Sequence, residues 1–113
     1  MSNRGWIGVD LDGTLARYDG WVGPEYIGKP IAPMVARILT WLGCGIEVRI
    51  VTARAYRADP AEISLIQDWT EEHIGHRLAV TCTKDYGMIQ LWDDRAVRVV
   101  ENTGEACCAA HSI

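Results

Sequence analysis

An apolar run near the start of the chain ends in two aspartates one residue apart. Asp10 and Asp12 follow Val9, and Gly13 comes directly after them. Alternate side chains of a strand share a face, so the two carboxylates would project together if the strand continued, and Gly13 indicates that it stops. Two crowded carboxylates repel each other unless a cation or a shared proton relieves the repulsion. The pair therefore indicates reactive chemistry at a strand end.

Apolar runs of strand length alternate with helical patterns along the rest of the chain. Strands are predicted over residues 6–10, 47–51, 78–82, 88–92 and 97–100. One helix is predicted from Pro33 to Leu42. Another begins at Asp59-Pro60, a capping residue followed by a first-turn proline, and ends at Gly75. This alternation is typical of an α/β fold with a parallel sheet.

Polar residues stand where three further apolar runs end. Thr52 begins the sequence Thr-Ala-Arg after the second predicted strand, Lys84 follows the third, and the pair Asp93-Asp94 follows the fourth. In an open parallel sheet, ligands bind just beyond the carboxyl ends of the strands. These groups are therefore expected to converge with the first aspartate pair on one cleft.

Asp, Thr, Lys and an Asp pair, in that order, resemble the four signature motifs of the haloacid dehalogenase superfamily, whose members are mostly Mg²⁺-dependent phosphohydrolases. The resemblance covers residues 7–96. It implies a three-layer α/β/α sandwich around a Rossmann-like, mainly parallel sheet of about five strands. It also implies a reaction through an aspartyl-phosphate, with Asp10 as nucleophile and Asp12 as general acid and base. Thr52 and Lys84 would hold the phosphoryl oxygens.

The same resemblance implies a Mg²⁺ ion on the acidic groups. Its ligands would be the carboxylates of Asp10 and Asp93 and the backbone carbonyl of Asp12. Asp94 would order a metal-bound water or Lys84, or would bind the metal directly.

Three further residues are candidates for contact with substrate. The backbone N–H groups of Leu11 and Ala53 are plausible donors to the phosphoryl group. Arg54 either touches substrate or forms a salt bridge. Arg95, directly after the acidic pair, is expected to be a structural partner of a carboxylate.

No cap domain fits between the motifs, beyond a short flap. Asp19-Gly20, flanked by apolar and aromatic residues, predicts a hairpin over about residues 14–24. Tyr18 and Trp21 on this hairpin either close over a substrate or form a subunit contact. An open cleft suits a bulky substrate, or a small one enclosed by a neighbouring subunit of a homo-oligomer.

Composition favours one small domain over residues 1–113, with a tail at about 103–113. The chain is 49% hydrophobic, carries a net charge of −4 and has no basic block, which disfavours general nucleic-acid binding without excluding a local site. No apolar run approaches a membrane span, and the first residues do not resemble a secretory leader, so a cytoplasmic location is expected. The four cysteines lack metal-ligand spacing and are expected to be reduced thiols.

The predicted function is Mg²⁺-dependent hydrolysis of a phosphomonoester, with a small phosphorylated metabolite or nucleotide as substrate. A nucleic-acid 3′-phosphatase is the alternative enzyme. A phospho-acceptor receiver domain uses similar residues, but its acceptor aspartate follows the acidic pair on a later strand, which is not the order here. A catalytically silent binding module is the other alternative, and the intact set of acidic and basic groups argues against it.

Overall fold

A computed structural model describes residues 5–107, which form an α/β fold around one parallel sheet. Its strands and helices are β1 (Trp6–Val9), α1 (Ala32–Gly43), β2 (Glu47–Val51), a 3₁₀ turn (Ala53–Ala55), α2 (Pro60–Ile74), β3 (Ala79–Thr81) and β4 (Met88–Trp92). The sheet has the strand order β3-β2-β1-β4, with every neighbouring pair parallel. The predicted parallel α/β class and the first four strands are confirmed.

Local sequence sets the ends of α2. The Asp59 side chain accepts a hydrogen bond from the N–H of Ala61, and Pro60 occupies the first helical position, where no N–H is needed. Gly75 ends the helix in the left-handed region, at φ 85°, which a residue without Cβ adopts at little cost. The predicted start and end of this helix are confirmed.

Both helices pack on the same face of the sheet. The buried core joins side chains that alternate on β1 and β2 to side chains of α1 and of α2, and these are Ile7, Val9, Val48, Ile50, Met34, Ile38, Ile66, Trp69 and Ile74. Residues two apart in a strand share a face, so one face receives both helices. Among residues 5–107 no helix covers the other face, so the predicted third layer is not confirmed.

A short connection crosses that other face instead. Trp6 is only 2% exposed, and the Arg49 guanidinium lies 4.3 Å from the centre of its ring. The Asp85 carboxylate accepts hydrogen bonds from Trp6 Nε1 at 2.9 Å and from Gly87 N at 2.8 Å. Residues 82–87 therefore pass across β2 and β1 on the way to β4, in an extended path with no room for a helix.

The fifth predicted strand, 97–100, is not formed. Val99 makes only an isolated antiparallel bridge with Ala106, and residues 101–103 form a turn between them. The apolar residues of this run stay largely exposed, because no neighbouring strand is available to pair with them. β4 is consequently an edge of the sheet. The sheet thus has four strands rather than about five.

The flap is a loop and not the predicted hairpin. Within residues 14–24, no backbone hydrogen bond joins the two sides of Asp19-Gly20. The loop is instead closed at its base, where Arg17 N donates to Lys29 O and Ile31 N donates to Leu15 O. The two sides of the loop approach so closely there that a Cβ on Gly28 would collide with the carbonyl of Arg17. The base is fixed, while residues 17–22 are exposed.

Two smaller expectations concern membranes and thiols. Within residues 5–107, no helix is both long and apolar enough to cross a membrane. Cys44, Cys82 and Cys107 are free and exposed, as predicted. Cys108 and the end of the predicted tail lie outside the described residues.

Candidate active site

A cavity of about 930 Å³ lies at the carboxyl ends of the strands. It brings together eight of the predicted site residues, namely Asp10, Asp12, Trp21, Thr52, Ala53, Arg54, Asp93 and Asp94. The parallel register explains part of this convergence, because Val9 pairs with Trp92 and Asp10 N donates to Trp92 O at 2.9 Å. The first aspartate of the β1 end therefore stands beside the acidic pair after β4.

Three carboxylates form a compact cluster in this cavity. Asp10, Asp93 and Asp94 each offer an oxygen, and these oxygens lie within 4.8 Å of one another. Thr14 binds the cluster together, since its hydroxyl lies 3.0 Å from Asp94 Oδ1 and accepts a hydrogen bond from Asp94 N at 2.9 Å. Sequence reasoning gave Thr14 no role, although its position within the first motif was the available signal.

Gly13 is required by this packing. Its φ is +93°, and a Cβ at this position would stand 2.7 Å from an Asp94 carboxylate oxygen. Any other residue would both strain the backbone and push the acidic pair away. The glycine thus leaves room for the second acidic segment.

Simultaneous ionisation of the three carboxyl groups in this cluster is unfavourable. The pKa of Asp10 is raised to about 7, first because burial disfavours its charged form, then because of a hydrogen bond with the Asp94 carboxyl group and the charges of Asp93 and Asp94. The Leu11 N–H, which donates toward this carboxylate, acts weakly in the opposite direction. At neutral pH the site therefore stabilises a cation or a proton between these groups.

The Asp12 carboxylate pairs with Arg54 and is not part of the acidic cluster. Both of its carboxylate oxygens accept from Arg54, with Nε to Oδ2 at 2.8 Å and Nη2 to Oδ1 at 2.9 Å. The two side chains are 21% and 8% exposed. Of the two roles considered for Arg54, the structure contains the salt bridge. This bidentate pair separates the Asp12 carboxylate from the acidic cluster.

Thr52 is held by the turn that follows β2. Its side chain is nearly buried, at 3% exposure, and its Oγ1 accepts a hydrogen bond from Arg54 N as the cap of the 3₁₀ turn. Its own N–H donates to Thr81 O, which ties the end of β2 to the end of β3. The hydroxyl retains its proton for donation into the cavity.

Two predicted site residues, Lys84 and Leu11, do not line this cavity. Leu11 is fully buried, and its N–H points at Asp10. Lys84 lines a separate cavity of about 660 Å³ beside β4, together with Asp85 and Leu91. The short connection draws it there, because residues 82–87 must descend across the sheet to reach the start of β4. No lysine contributes to the neutralisation of Asp10 in this arrangement.

Sequence reasoning missed several residues of the cavity wall. Tyr56 and Arg57 are exposed on the segment after Thr52, and Glu62 and Cys82 flank them, whereas Tyr18 lines the wall as one of the two predicted flap aromatics. Arg95 also lines the cavity, and within residues 5–107 it forms no salt bridge, so its predicted structural pairing is not found. These positions follow no motif, and only the fold brings them together.

Comparison of the chain with protein-family models, with curated proteins and with solved structures found no match. The similarity to the haloacid dehalogenase superfamily therefore rests on the order of the four motifs.

Proposed function

We propose that this protein is a Mg²⁺-dependent phosphomonoester hydrolase of the haloacid dehalogenase type. One observation carries the proposal: a cluster of three carboxylates, with a further carboxylate at Asp12 kept apart from it, in a cavity at the carboxyl ends of a parallel sheet. A cluster can bind a metal and supply a nucleophile, whereas a separate carboxylate can move protons. This division of roles is what phosphoryl transfer in two steps requires.

The acidic cluster fits Mg²⁺. Mg²⁺ prefers oxygen ligands and keeps several waters, so a few carboxylates suffice, and the cluster offers only oxygen donors within 4.8 Å. The raised pKa of Asp10 indicates repulsion that a divalent cation would relieve. Asp10 and Asp93 would hold the ion, with Asp94 beside them. The ion would neutralise the phosphoryl oxygens and so let an anionic nucleophile approach.

The proposed reaction proceeds in two steps, and residues of this chain supply the nucleophile and the acid and base. An oxygen of Asp10 forms a bond to phosphorus while the ester P–O bond breaks, and Asp12 gives its proton to the leaving oxygen. Asp12 then takes a proton from water as the water oxygen bonds to phosphorus and the Asp10–phosphorus bond breaks. Inorganic phosphate and the free carboxylate of Asp10 result. Thr52 would donate to a phosphoryl oxygen throughout.

The cavity wall supports a substrate with a planar group attached to the phosphate. Tyr18, Trp21 and Tyr56 are 47%, 59% and 67% exposed and line the same cavity as the acidic cluster. Exposed aromatic faces stack well on nucleobases. Arg57 and Arg95 add positive charge to the wall. A nucleotide is therefore favoured over an aliphatic phosphorylated metabolite.

Phosphate release from a panel of esters tests the function. The panel contains nucleoside monophosphates, sugar phosphates, oligonucleotide 3′-phosphates and an activated aryl phosphate, each with and without Mg²⁺. We expect Mg²⁺-dependent release, greatest on a nucleotide, and none from Asp10→Asn. Asp68→Asn is the matched control, because Asp68 is an exposed aspartate on α2 that pairs with Arg77. Turnover by Asp10→Asn, or a stable phosphoprotein without turnover, would overturn the hydrolase.

A further inference from the structure

Arg54 joins three parts of the cavity through one side chain. Four of its five N–H groups donate hydrogen bonds, two of them to Asp12, one to Pro24 O at 3.1 Å and one to Tyr26 O at 3.0 Å. Its guanidinium also lies 4.9 Å from the centre of the Trp21 ring, at cation–π distance. With one N–H left, the residue has little capacity to hold a phosphoryl group as well.

The flap depends on this residue for its attachment. Within the described part of the chain, every hydrogen bond between residues 20–26 and the rest of the molecule comes from Arg54. The base of the flap is closed independently, by the backbone bonds of Arg17 and Ile31. Loss of the Arg54 contacts would therefore free the tip of the flap without opening its base.

The same contacts restrict Asp12. Both Asp12 oxygens accept N–H groups of Arg54, and a carboxyl oxygen that carries a proton cannot accept one in the same direction. Protonation also removes the charge that strengthens these two bonds, so proton transfer through Asp12 is favoured when at least one of them is released. The Arg54 guanidinium must move for that hydrogen bond to break, and the flap carbonyls hold the guanidinium in place.

We propose that Arg54 is a positioning residue that couples the flap to Asp12, so that displacement of the flap by an entering substrate releases an Asp12 oxygen for proton transfer. The coupling rests on the proposed function for its role in turnover. The physical link itself does not, because it is a set of contacts in the resting protein. Coupling of this kind is reciprocal, so removal of the Asp12 carboxylate changes the flap as well.

Hydrogen exchange of the flap amides tests the link without any measurement of activity. A hydrogen bond to a charged group is strong enough that its loss changes a local opening equilibrium by about tenfold or more. We expect the amide of Tyr26, the residue of this stretch whose N–H is hydrogen bonded, to exchange faster by about that factor in Arg54→Gln. Asp12→Ala should also accelerate its exchange, although Asp12 makes no hydrogen bond with residues 20–26. Arg77→Gln, which removes an exposed arginine on the far side of α2, should leave it unchanged.

Unchanged flap exchange in both Arg54→Gln and Asp12→Ala overturns the coupling. If Arg54→Gln does not fold, as judged by circular dichroism, Arg54→Lys takes its place. A lysine keeps the charge but cannot hold both Asp12 oxygens and both carbonyls at once. It should give exchange rates between those of the wild type and of Asp12→Ala, and rates equal to the wild type count against the proposal.

A second measurement uses leaving groups of different quality. Proton donation matters for a poor leaving group and little for an activated one. Arg54→Gln also removes the bond that would keep Asp12 oriented after release of one oxygen. We therefore expect it to lower kcat/KM for an alkyl phosphate by about 10²-fold and for an activated aryl phosphate by less than about tenfold, with partial recovery in Arg54→Lys. Equal losses on both esters would mean that Arg54 binds the phosphoryl group itself. If the wild type hydrolyses neither ester, the hydrolase proposal fails while hydrogen exchange still decides the link.

Discussion

The surroundings of Asp10 disfavour the charged form of its carboxyl group. Its pKa is raised to about 7 by burial first and then by the neighbouring acidic groups, whereas an unfolded aspartate titrates near 4. Between these values the folded state binds more protons than the unfolded state. The free energy of unfolding of the metal-free protein therefore falls as the pH rises through that window.

Asp10→Asn removes this penalty, because the amide does not ionise. We expect the metal-free variant to unfold at a higher temperature than the wild type at about pH 8, and the difference to shrink at about pH 4.5. A gain of about 1 kcal/mol corresponds to about 4–8 °C in a domain of this size. Thermal unfolding in the presence of a chelator measures it, with Asp19→Asn as control. Equal melting temperatures at both pH values would contradict the assigned cause.

Lys84 is the predicted site residue that the fold places elsewhere. Its side chain is exposed, and Cys82, two residues earlier, does line the acidic cavity. The resemblance gives Lys84 the role of a phosphoryl donor, which requires this exposed side chain to turn toward a bound phosphate. We therefore expect Lys84→Met to lower kcat/KM by about 10²-fold, the cost of one lost donor to a charged transition state.

Lys29→Met is the control for this variant, since Lys29 is the chain's other lysine and lies at the base of the flap outside the cavity. Equal activity of the two variants would assign the phosphoryl contact to the arginines of the cavity wall. Steady-state kinetics on the best substrate of the panel decides between these outcomes.

At the scale of elements, the proposed function gives the flap the selection of substrate. Trp21 is 59% exposed on this loop and lines the cavity, with one face near the Arg54 guanidinium. We expect Trp21→Ala to raise KM for a nucleotide by about tenfold, the loss of about 1–3 kcal/mol per stacked base. Turnover of an aryl phosphate should change little, since its phosphoryl group still meets Asp10 and Thr52.

Tyr86→Ala is the matched control, because Tyr86 is a fully exposed aromatic residue that does not line this cavity. A nucleotide KM that stays the same in a folded Trp21→Ala protein would show that the flap does not recognise the base. The wider panel would then reveal whether any discrimination among esters is lost.

For the whole molecule, a bound metal should stabilise the fold, because the acidic cluster exists only in the folded chain. Binding stabilises the native state by about 2.7 kcal/mol when the metal concentration is 100 times its Kd. We expect Mg²⁺ to raise the melting temperature more at about pH 8 than at about pH 5, where a proton competes for Asp10.

Asp93→Ala should weaken this metal effect more than Asp94→Ala. The Asp94 carboxylate already takes part in hydrogen bonds with Thr14 and with Asp10, so it has less capacity to bind the ion directly. Thermal unfolding over a Mg²⁺ titration compares the two variants, with Asp68→Ala as control. A larger effect of Asp94→Ala would place that residue on the metal in place of Asp93.

The sequence by itself determined the first four strands, both helices and the convergence of the acidic groups. Strand ends are marked by the place where apolar residues give way to polar ones, and a helix such as α2 is bounded by Asp59 and Gly75 through contacts within a few residues. The carboxyl ends of parallel strands meet at one edge, so Asp10 and Asp93 could be placed together before any coordinates were known.

Only the tertiary structure decided which partners the side chains take. Arg54 pairs with Asp12 and at the same time contacts two carbonyls and an aromatic ring of the flap, which come from residues about thirty positions earlier. Lys84 follows a connection too short to hold a helix, and so it is carried across the open face of the sheet. The absent fifth strand and hairpin have the same reason: a short apolar run, or a turn signal, forms a strand only where a pairing partner lies beside it.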